Sequence, residues 1–277
     1  MKQNSSFIER FGGKLFQYLV ILLVLIISLY PILWVFLSSF KTSPGGLELP
    51  TEWVIDGYKT IFTRLHIESY FLNSLIVTLC SSVLSVTFVT MAAYVCARMR
   101  FRGRTLVTFM FASTLFIPQY AISFPIYQMT HKLGLYDTRV GLTLVYVGLN
   151  IAISFFIVRG YFASIPYEME EAAMLDGCSY WQAFRHIMVP LAKPGISTAL
   201  ILTMLNNWNE FYYASLLLQS KENMTIPALL GQFTTAYSMD LNGMFSAIIV
   251  AIVPTILLFS FTSETFVKSL TEGAVKG

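Results

Sequence analysis

Amide, carboxylate and aromatic side chains cluster within one otherwise apolar stretch of this sequence. The cluster comprises Asn206, Asn207, Trp208, Asn209, Glu210 and Tyr212. Amides and carboxylates hydrogen-bond to hydroxyl groups and aromatic rings offer flat apolar faces, so the combination suits a polyhydroxylated solute such as a sugar. Intramembrane amides also bond neighbouring helices to each other. The sequence therefore leaves two interpretations open, a substrate pathway or helix packing. The substrate-pathway candidates are Asn206, Trp208, Asn209, Glu210 and Tyr212.

The segment from 162 to 194, called the coupling loop below, has the sequence signals of a helix, a turn and a second helix. Pro166 suits the first turn of a helix, and the acidic residues that follow favour its positive end. Gly177 is typical of a left-handed helix stop. Ser179 and Gln182 then fit a capping box, which predicts a second short helix to about residue 188, ended by the prolines at 190 and 194.

One face of the first loop helix is lined with small residues. Met169, Ala172 and Ala173 share that face by their spacing, so a partner could approach it closely and the helix suits insertion into a groove. An amphipathic connector lying on the membrane is the alternative. Three acidic residues in its first turns argue against that alternative, because an anionic leaflet would repel them.

Composition places these motifs in a membrane protein. The chain has 277 residues, 56% hydrophobic and 12% charged, which nearly excludes an ordinary soluble enzyme. A stretch of about 20 apolar residues crosses the ~30 Å hydrocarbon core as a helix. The predicted class is all-α, one polytopic permease domain over 1–277 with six transmembrane helices, the coupling loop lying between the fourth and fifth. The predicted spans are 15–40, 70–97, 106–129, 140–161, 195–218 and 244–267.

The positions of the 18 lysines and arginines predict the orientation. Twelve lie in one set of alternate segments and six in the other, and the richer set includes the arginine block from Arg98 to Arg104. Positive residues in short loops stay in the cytoplasm, so both termini and the coupling loop are expected inside a prokaryotic inner membrane. The cations are spread over short loops, which makes nucleic-acid binding improbable.

The remaining residues indicate no catalytic or metal site. No phosphate-binding G-x-x-x-x-G-K-[S/T] loop is present, and the three cysteines and three histidines lack metal-ligand spacing. A non-catalytic membrane subunit is therefore predicted. Active transport by this chain would draw on an ion gradient or on another subunit.

The coupling loop resembles a known family. Glu171-Ala172-Ala173, followed by Gly177 and then Ile187-x-Val189-Pro190, is similar to the E-A-A-x3-G-x9-I-x-L-P motif of permeases in binding-protein-dependent ABC importers. The one departure is Val189 in place of leucine. Asn73-Ser74, Ala92-Ala93-Tyr94, Trp208-Asn209-Glu210 and the terminal Leu270 to Gly277 resemble the shorter, second permease of the maltose-type carbohydrate importers.

This resemblance implies partners and roles. The implied partners are a different permease, two copies of an ATP-binding subunit, an extracytoplasmic sugar-binding protein and membrane lipid. ATP and magnesium would bind to the ATPase, and no cofactor is expected on this chain. Closure of the ATPases around ATP would move the coupling loop and, with it, the fourth and fifth spans. The residues implied in ATPase coupling are Glu171, Ala172, Ala173, Asp176, Gly177, Ile187 and Pro190.

Two alternatives to a sugar importer remain from the residues. An ion-coupled secondary transporter or channel would use Glu210 as a proton or sodium site, but no convincing internal repeat is visible. The same ABC machinery could carry a polyol or a glycerophosphodiester. A phosphate cargo favours fixed positive charge near the midplane, and none is visible there.

Overall fold

The protein folds from helices, four of which are long enough and apolar enough to cross a membrane. The computed structural model describes residues 2–42, 46, 48–233 and 240–274, and within that part of the chain no β-strand element is present. The four long helices are α1 (Lys2–Ser38), α3 (Ile67–Arg98), α6 (Arg139–Ser164) and α13 (Leu241–Ala274). Their membrane-length apolar parts overlap four of the predicted spans.

The predicted third span is broken into two helical arms. α4 (Arg104–Thr114) is followed by a short 3-10 helix (Gln119–Ile122) and α5 (Ser123–Lys132), with a bend of 96° between the two arms. Pro118 at the bend has no N–H to donate and disfavours helical backbone in the residue before it. A second bent pair, Tyr180–Leu191 with Lys193–Trp208, meets at 72°. Counting each pair as one span gives up to six spans, and the number of crossings stays a prediction.

The helix of the predicted fifth span also ends early. α10 (Lys193–Trp208) stops in the middle of the predicted 195–218 stretch, and α11 (Tyr212–Leu217) begins after a break. Asn209 takes the C-cap position of α10 with φ −93° and ψ 1°, outside the helical region. The prediction of one continuous span did not include this break, although the break falls at the polar residues 206–210.

The core of one compact unit, residues 67–232 with 251–277, is built by α3, α6 and α10. Phe155 and Phe162 of α6 are fully buried in this core. Gly195 at the start of α10 lies against the ring of Tyr161, where an added Cβ would come within 2.3 Å of ring carbons. Small residues at such positions let helices pack closely without a large hydrophobic driving force.

The other compact unit, residues 1–66 with 233–250, contains α1, α2 (Asp56–Thr63) and the start of α13. Trp34 of α1 meets Phe245 of α13 edge to face, with ring centroids 5.2 Å apart. Gly57 of α2 lies so close to Asn242 that an added Cβ would sit 1.8 Å from its amide oxygen. That contact requires glycine at position 57.

The coupling loop is helical through most of its length. It contains α7 (Glu168–Leu175), α8 (Tyr180–Ala183), a π-helical turn (Phe184–Met188) and α9 (Val189–Leu191). The prediction that Pro190 ends the second loop helix is wrong, because helical backbone continues through it to Leu191. The backbone N of Pro190 cannot donate a hydrogen bond, and the helical hydrogen-bond pattern changes just before it. The Val189 N–H donates to the carbonyl of Phe184, five residues back, where a regular α-helix would bond four residues back.

Candidate functional site

The turn of the coupling loop has the conformation that its sequence predicts. Gly177 adopts φ +85°, the left-handed stop, and no atom lies within 4 Å of the position its Cβ would occupy. Its role is therefore conformational, not steric. The Ser179 capping box is confirmed, since the Ser179 N–H donates to Gln182 Oε1 at 2.7 Å and the Gln182 N–H donates to Ser179 Oγ at 3.4 Å.

The outward surface of α7 carries most of the coupling residues predicted there. Glu171, Ala172 and the C-cap residue Asp176 are exposed. Leu175, which sequence reasoning overlooked, is 89% exposed at the end of α7. Glu171 and Leu175 border a groove of about 890 Å³ that Arg98, Arg100 and Tyr180 also line. Leu175 therefore adds an exposed apolar side chain to a groove whose border also includes charged and aromatic groups.

Ala173 differs from the expectation that it faces a partner. Ala173 is only 3% exposed, and it belongs to a helix that packs against the second loop helix of the same chain. Ile187 is half-buried in the π-helical turn, and Pro190 is exposed beyond it. Phe184 and Met188 of the same turn are buried in the core with Phe162, which anchors the loop in the helix bundle.

A buried ion pair joins the coupling loop to α3, and sequence reasoning missed it. Arg98 Nε lies 2.8 Å from Glu170 Oε2, and these side chains are 0% and 12% exposed. The Tyr94 hydroxyl donates to the other carboxylate oxygen, Oε1. A charged residue at the end of an apolar span, such as Arg98, can indicate a buried ion pair. The same residue can equally indicate only the orientation of the protein in the membrane, and the sequence does not reveal that Glu170 is its partner.

Both broken spans border one polar groove. It has a volume of about 660 Å³, and its lining includes Asn206, Asn207, Asn209, Glu210 and Tyr212. The 3-10 helix contributes Gln119 and Tyr120, which sequence reasoning did not select, and the rings of Tyr120 and Tyr212 meet edge to face at 4.7 Å. Among the residues that the structure describes, no lysine, arginine or histidine lines this groove. The arrangement offers amides and aromatic rings to an uncharged polar ligand.

The carboxylate of Glu210 caps the broken helix. It accepts hydrogen bonds from the backbone N–H groups of Tyr213 and Ala214 at the start of α11, between 2.9 and 3.1 Å. The Tyr146 hydroxyl donates to the same carboxylate at 2.8 Å. The Glu210 carboxylate thus satisfies N–H groups that have no partner at the start of a helix, where a negative charge is favourable. The geometry explains Glu210 as a structural acceptor without any proton or sodium ion.

Asn207 and Trp208 of the polar cluster pack within the chain. Asn207 is 3% exposed; its amide donates to Ser81 Oγ at 2.8 Å and Ser82 Oγ at 3.1 Å, and it accepts from Asn150 at 2.7 Å. Trp208 is 7% exposed, and its indole N–H donates to the Ala251 carbonyl at 3.0 Å. The helix-packing interpretation therefore holds for these two residues. Trp208 does not line the groove that the other candidates share.

The Asn73-Ser74 pair anchors an ordered segment after α11. The Asn73 amide donates to the carbonyls of Glu222 and Met224 at 2.8 and 3.0 Å, and the Ile226 N–H donates to Ser74 Oγ at 2.8 Å. The pair thus fixes the start of α12 (Ile226–Gln232) against α3. A polar pair inside an otherwise apolar helix has a structural purpose here.

The sequence matches a known family model over residues 89–271, that of the binding-protein-dependent transport system inner membrane component. The probable ABC transporter permease YurM of Bacillus subtilis (strain 168) is 34% identical, with 96% of this chain and 89% of the relative covered. The trehalose transport system permease SugB of Mycobacterium tuberculosis (strain CDC 1551 / Oshkosh) is 32% identical, with 96% of this chain and all of the relative covered.

A solved structure has the same fold. It is the crystal structure of a bacterial ABC transporter involved in the import of the acidic polysaccharide alginate, in which one chain superposes with a TM-score of 0.80 and 26% identity, covering 93% of this chain and 97% of that chain. Such permeases are non-catalytic, multi-pass components of the membrane. The chain belongs to the family of binding-protein-dependent transport system inner membrane components, and within it to the permeases of sugar ABC transporters.

Proposed function

We propose that this protein is one of two different permeases in an ATP-driven importer that moves an uncharged sugar or oligosaccharide into the cell by alternating access. A binding protein outside the membrane delivers the sugar, and two copies of an ATPase bind ATP and magnesium on the other side. This chain supplies one wall of the passage and one attachment point for an ATPase. Both termini lie in the cytoplasm. The proposal rests on membership of this family. Two sites, the surface of α7 and the polar groove, contain the residues to which it assigns roles.

The first of these sites is the exposed surface of α7. The Glu171 carboxylate makes no hydrogen bond or ion pair with the described part of this chain, so it is available to a basic partner side chain. Ala172 beside it leaves room for close approach, and Leu175 offers an apolar anchor. Interfaces commonly concentrate their free energy in such a central anchor surrounded by polar contacts. This surface therefore suits a cleft on the ATPase, with Gly177 setting the angle to the second loop helix.

The second site is the polar groove, which favours an uncharged cargo. Asn206, Asn209 and Gln119 present amides, while Phe211 and Tyr212 present exposed rings. Glu210, its one charged residue, already accepts hydrogen bonds from within the chain. A glycerophosphodiester would need a cation in the groove, and a polyol would leave the rings little to stack on. A sugar uses both kinds of group, and trehalose is the cargo named for one relative.

The decisive experiment is affinity purification of the tagged, gently solubilised protein from its native membrane. The proposal predicts recovery of a P-loop ATPase and a second permease, with the ATPase lost in the Glu171→Lys variant while the second permease remains. Glu168→Lys is the matched control, because it reverses the charge at an exposed position in the same helix. Recovery of this chain alone as a stable species would contradict the importer. Equal ATPase loss in both variants would contradict the role of Glu171.

A further inference from the structure

The Arg98 guanidinium, which α3 carries, bonds both α7 and the segment after α6 at the cytoplasmic end of the bundle. Arg98 itself is the last residue of α3, and its Nε bonds Glu170 in α7. Its Nη1 donates to the Ile165 carbonyl at 2.8 Å and its Nη2 to the Pro166 carbonyl at 3.2 Å, just after α6 ends. Those carbonyls lack partners within the helix, and a cation there also complements the helix dipole.

Aromatic rings enclose this ion pair. The Arg98 guanidinium carbon lies 3.9 Å from the centroid of the Tyr167 ring, a cation-π contact. Tyr94 packs against Phe162 and Phe184 while its hydroxyl holds the Glu170 carboxylate. The carboxylate therefore has partners on both oxygens, both of them from α3.

Separating such a pair is costly. An ion pair removed from water is held by its mutual attraction and its hydrogen bonds, and moving either partner away leaves an uncompensated buried charge. Rotation of α7 relative to α3 would have to break this contact. The loop's chain connection to α10 is different, because a bend of 72° separates the two helical segments at Ala192.

We infer that Arg98, Glu170 and Tyr94 are positioning residues that make the coupling loop, α3 and the end of α6 move as one body, so that ATPase closure drives α3 directly. The inference rests on the proposed function. It changes the expectation drawn from the sequence, in which the loop moves only the two spans joined to it by the chain. Here the second predicted span, which has no chain connection to the loop, takes part through side chains.

Spin-label distances test this in the complete purified transporter. Labels at Arg102→Cys and Glu168→Cys, both exposed positions, report on the two sides of the contact in a chain whose three native cysteines are replaced. We expect one narrow distance distribution that is the same without nucleotide and after trapping with ADP and vanadate. A distance that changes with nucleotide in the otherwise unaltered chain overturns the proposal.

Variants then link the contact to coupling. Glu170→Gln keeps the shape and removes the charge, and we expect a broadened distance that shifts on ADP–vanadate trapping. Transport of trehalose or of the native sugar per ATP hydrolysed should fall roughly five- to tenfold, within the usual range of coupling effects. Arg102→Gln, at an exposed position, is the control and should leave coupling unaltered. Gln182→Glu, at an exposed position in the second loop helix, would not serve, because it alters the capping box.

Two further results keep the inference decidable. If Glu170→Gln does not assemble, Tyr94→Phe keeps the ion pair and the ring packing and should show a smaller shift of the same kind. Unaltered coupling and an unaltered distance in an assembled Glu170→Gln transporter overturn the proposal, as does equal loss in Arg102→Gln. If no ATPase accompanies the unaltered protein, the proposed function fails, while the label pair in the chain alone still reports whether the contact holds.

Discussion

Replacing Asn207 with leucine tests whether the buried amide network stabilises the helix bundle. Asn207 bonds Ser81, Ser82 and Asn150, and through them it joins α10 to α3 and α6. Interhelical side-chain bonds in membranes contribute about 0.6 kcal/mol each on average, so losing three lowers the free energy of unfolding by about 2 kcal/mol. Leucine keeps the branching of asparagine at Cγ and leaves no cavity, and its larger volume adds a packing cost of the same sign.

The assay is reversible unfolding of the purified protein in mixed micelles by titration with sodium dodecyl sulfate. Asn209→Leu is the matched control, because Asn209 is exposed and its amide donates only to the Leu205 carbonyl of its own helix. We expect that variant to stay within about 0.5 kcal/mol of the original protein. The two variants should also differ in transport. Asn209→Leu should change the KM for sugar in the assembled importer, whereas Asn207→Leu should lower the amount of importer that assembles.

Two results would refute this reasoning. One is an Asn207→Leu protein whose unfolding free energy equals that of the original. The other is an Asn207→Leu importer that assembles normally but has an altered preference among sugars, since that would place the amide in the substrate pathway. The first would show that the three bonds are replaced by others in the variant.

Three further predictions concern Leu175, Gly177 and Asp137. Leu175→Ser should weaken binding of the ATPase at least about tenfold without changing the melting temperature, because burying a leucine contributes about 1.5–3 kcal/mol; unchanged affinity in a binding titration would exclude the anchor role. Gly177→Ala should destabilise the protein by about 1–2 kcal/mol through its positive φ, while Gly160→Ala, in a helix with open space around it, should not; equal melting temperatures would argue against a conformational role. Partial burial raises the pKa of Asp137, but hydrogen bonds from Ser220 and its neighbour outweigh it and hold this pKa below its usual range. The stability that this contact contributes is therefore present above about pH 4 and is lost as the pH falls through the lowered pKa. The melting temperature should accordingly drop less in acid for Asp137→Asn than for the original protein. Parallel curves of melting temperature against pH for the two proteins would contradict this.

The sequence predicts helices best where one physical cause acts alone. The predicted 70–97 and 140–161 stretches lie within α3 and α6, because long apolar runs require helical backbone in a membrane. The turn at Gly177 and the capping box at Ser179 follow from local backbone chemistry, and the structure confirms both. Each of these features is decided by residues close together in the chain.

Features decided by distant residues escaped prediction. The sequence shows that Arg98 ends an apolar run, but its partner Glu170 lies 72 positions along the chain and reaches it only through the fold. Ala172 and Ala173 are adjacent and identical in type, yet Ala173 is buried and Ala172 is exposed. The polar cluster divides by exposure: all three asparagines border the groove, but Asn207 is buried and bonds the serines of α3, while Asn206 and Asn209 are exposed.

The two broken helices give the strongest physical reason to assign the groove to the transport pathway. Irregular backbone at membrane depth has polar groups that lipid cannot satisfy, so it is tolerated only where protein covers it or where it lines a polar cavity. Here the break after α4 and the break after α10 meet. The Tyr213 hydroxyl donates to the Gln119 carbonyl at 2.6 Å, joining one break to the other, and Glu210 caps the helix that restarts. A continuous helix at either place would satisfy its own backbone at less cost, and it would also fill the space that the amides and rings now border. The breaks thus cost stability where they occur and create a surface that matches a sugar in chemistry, which supports the proposed passage.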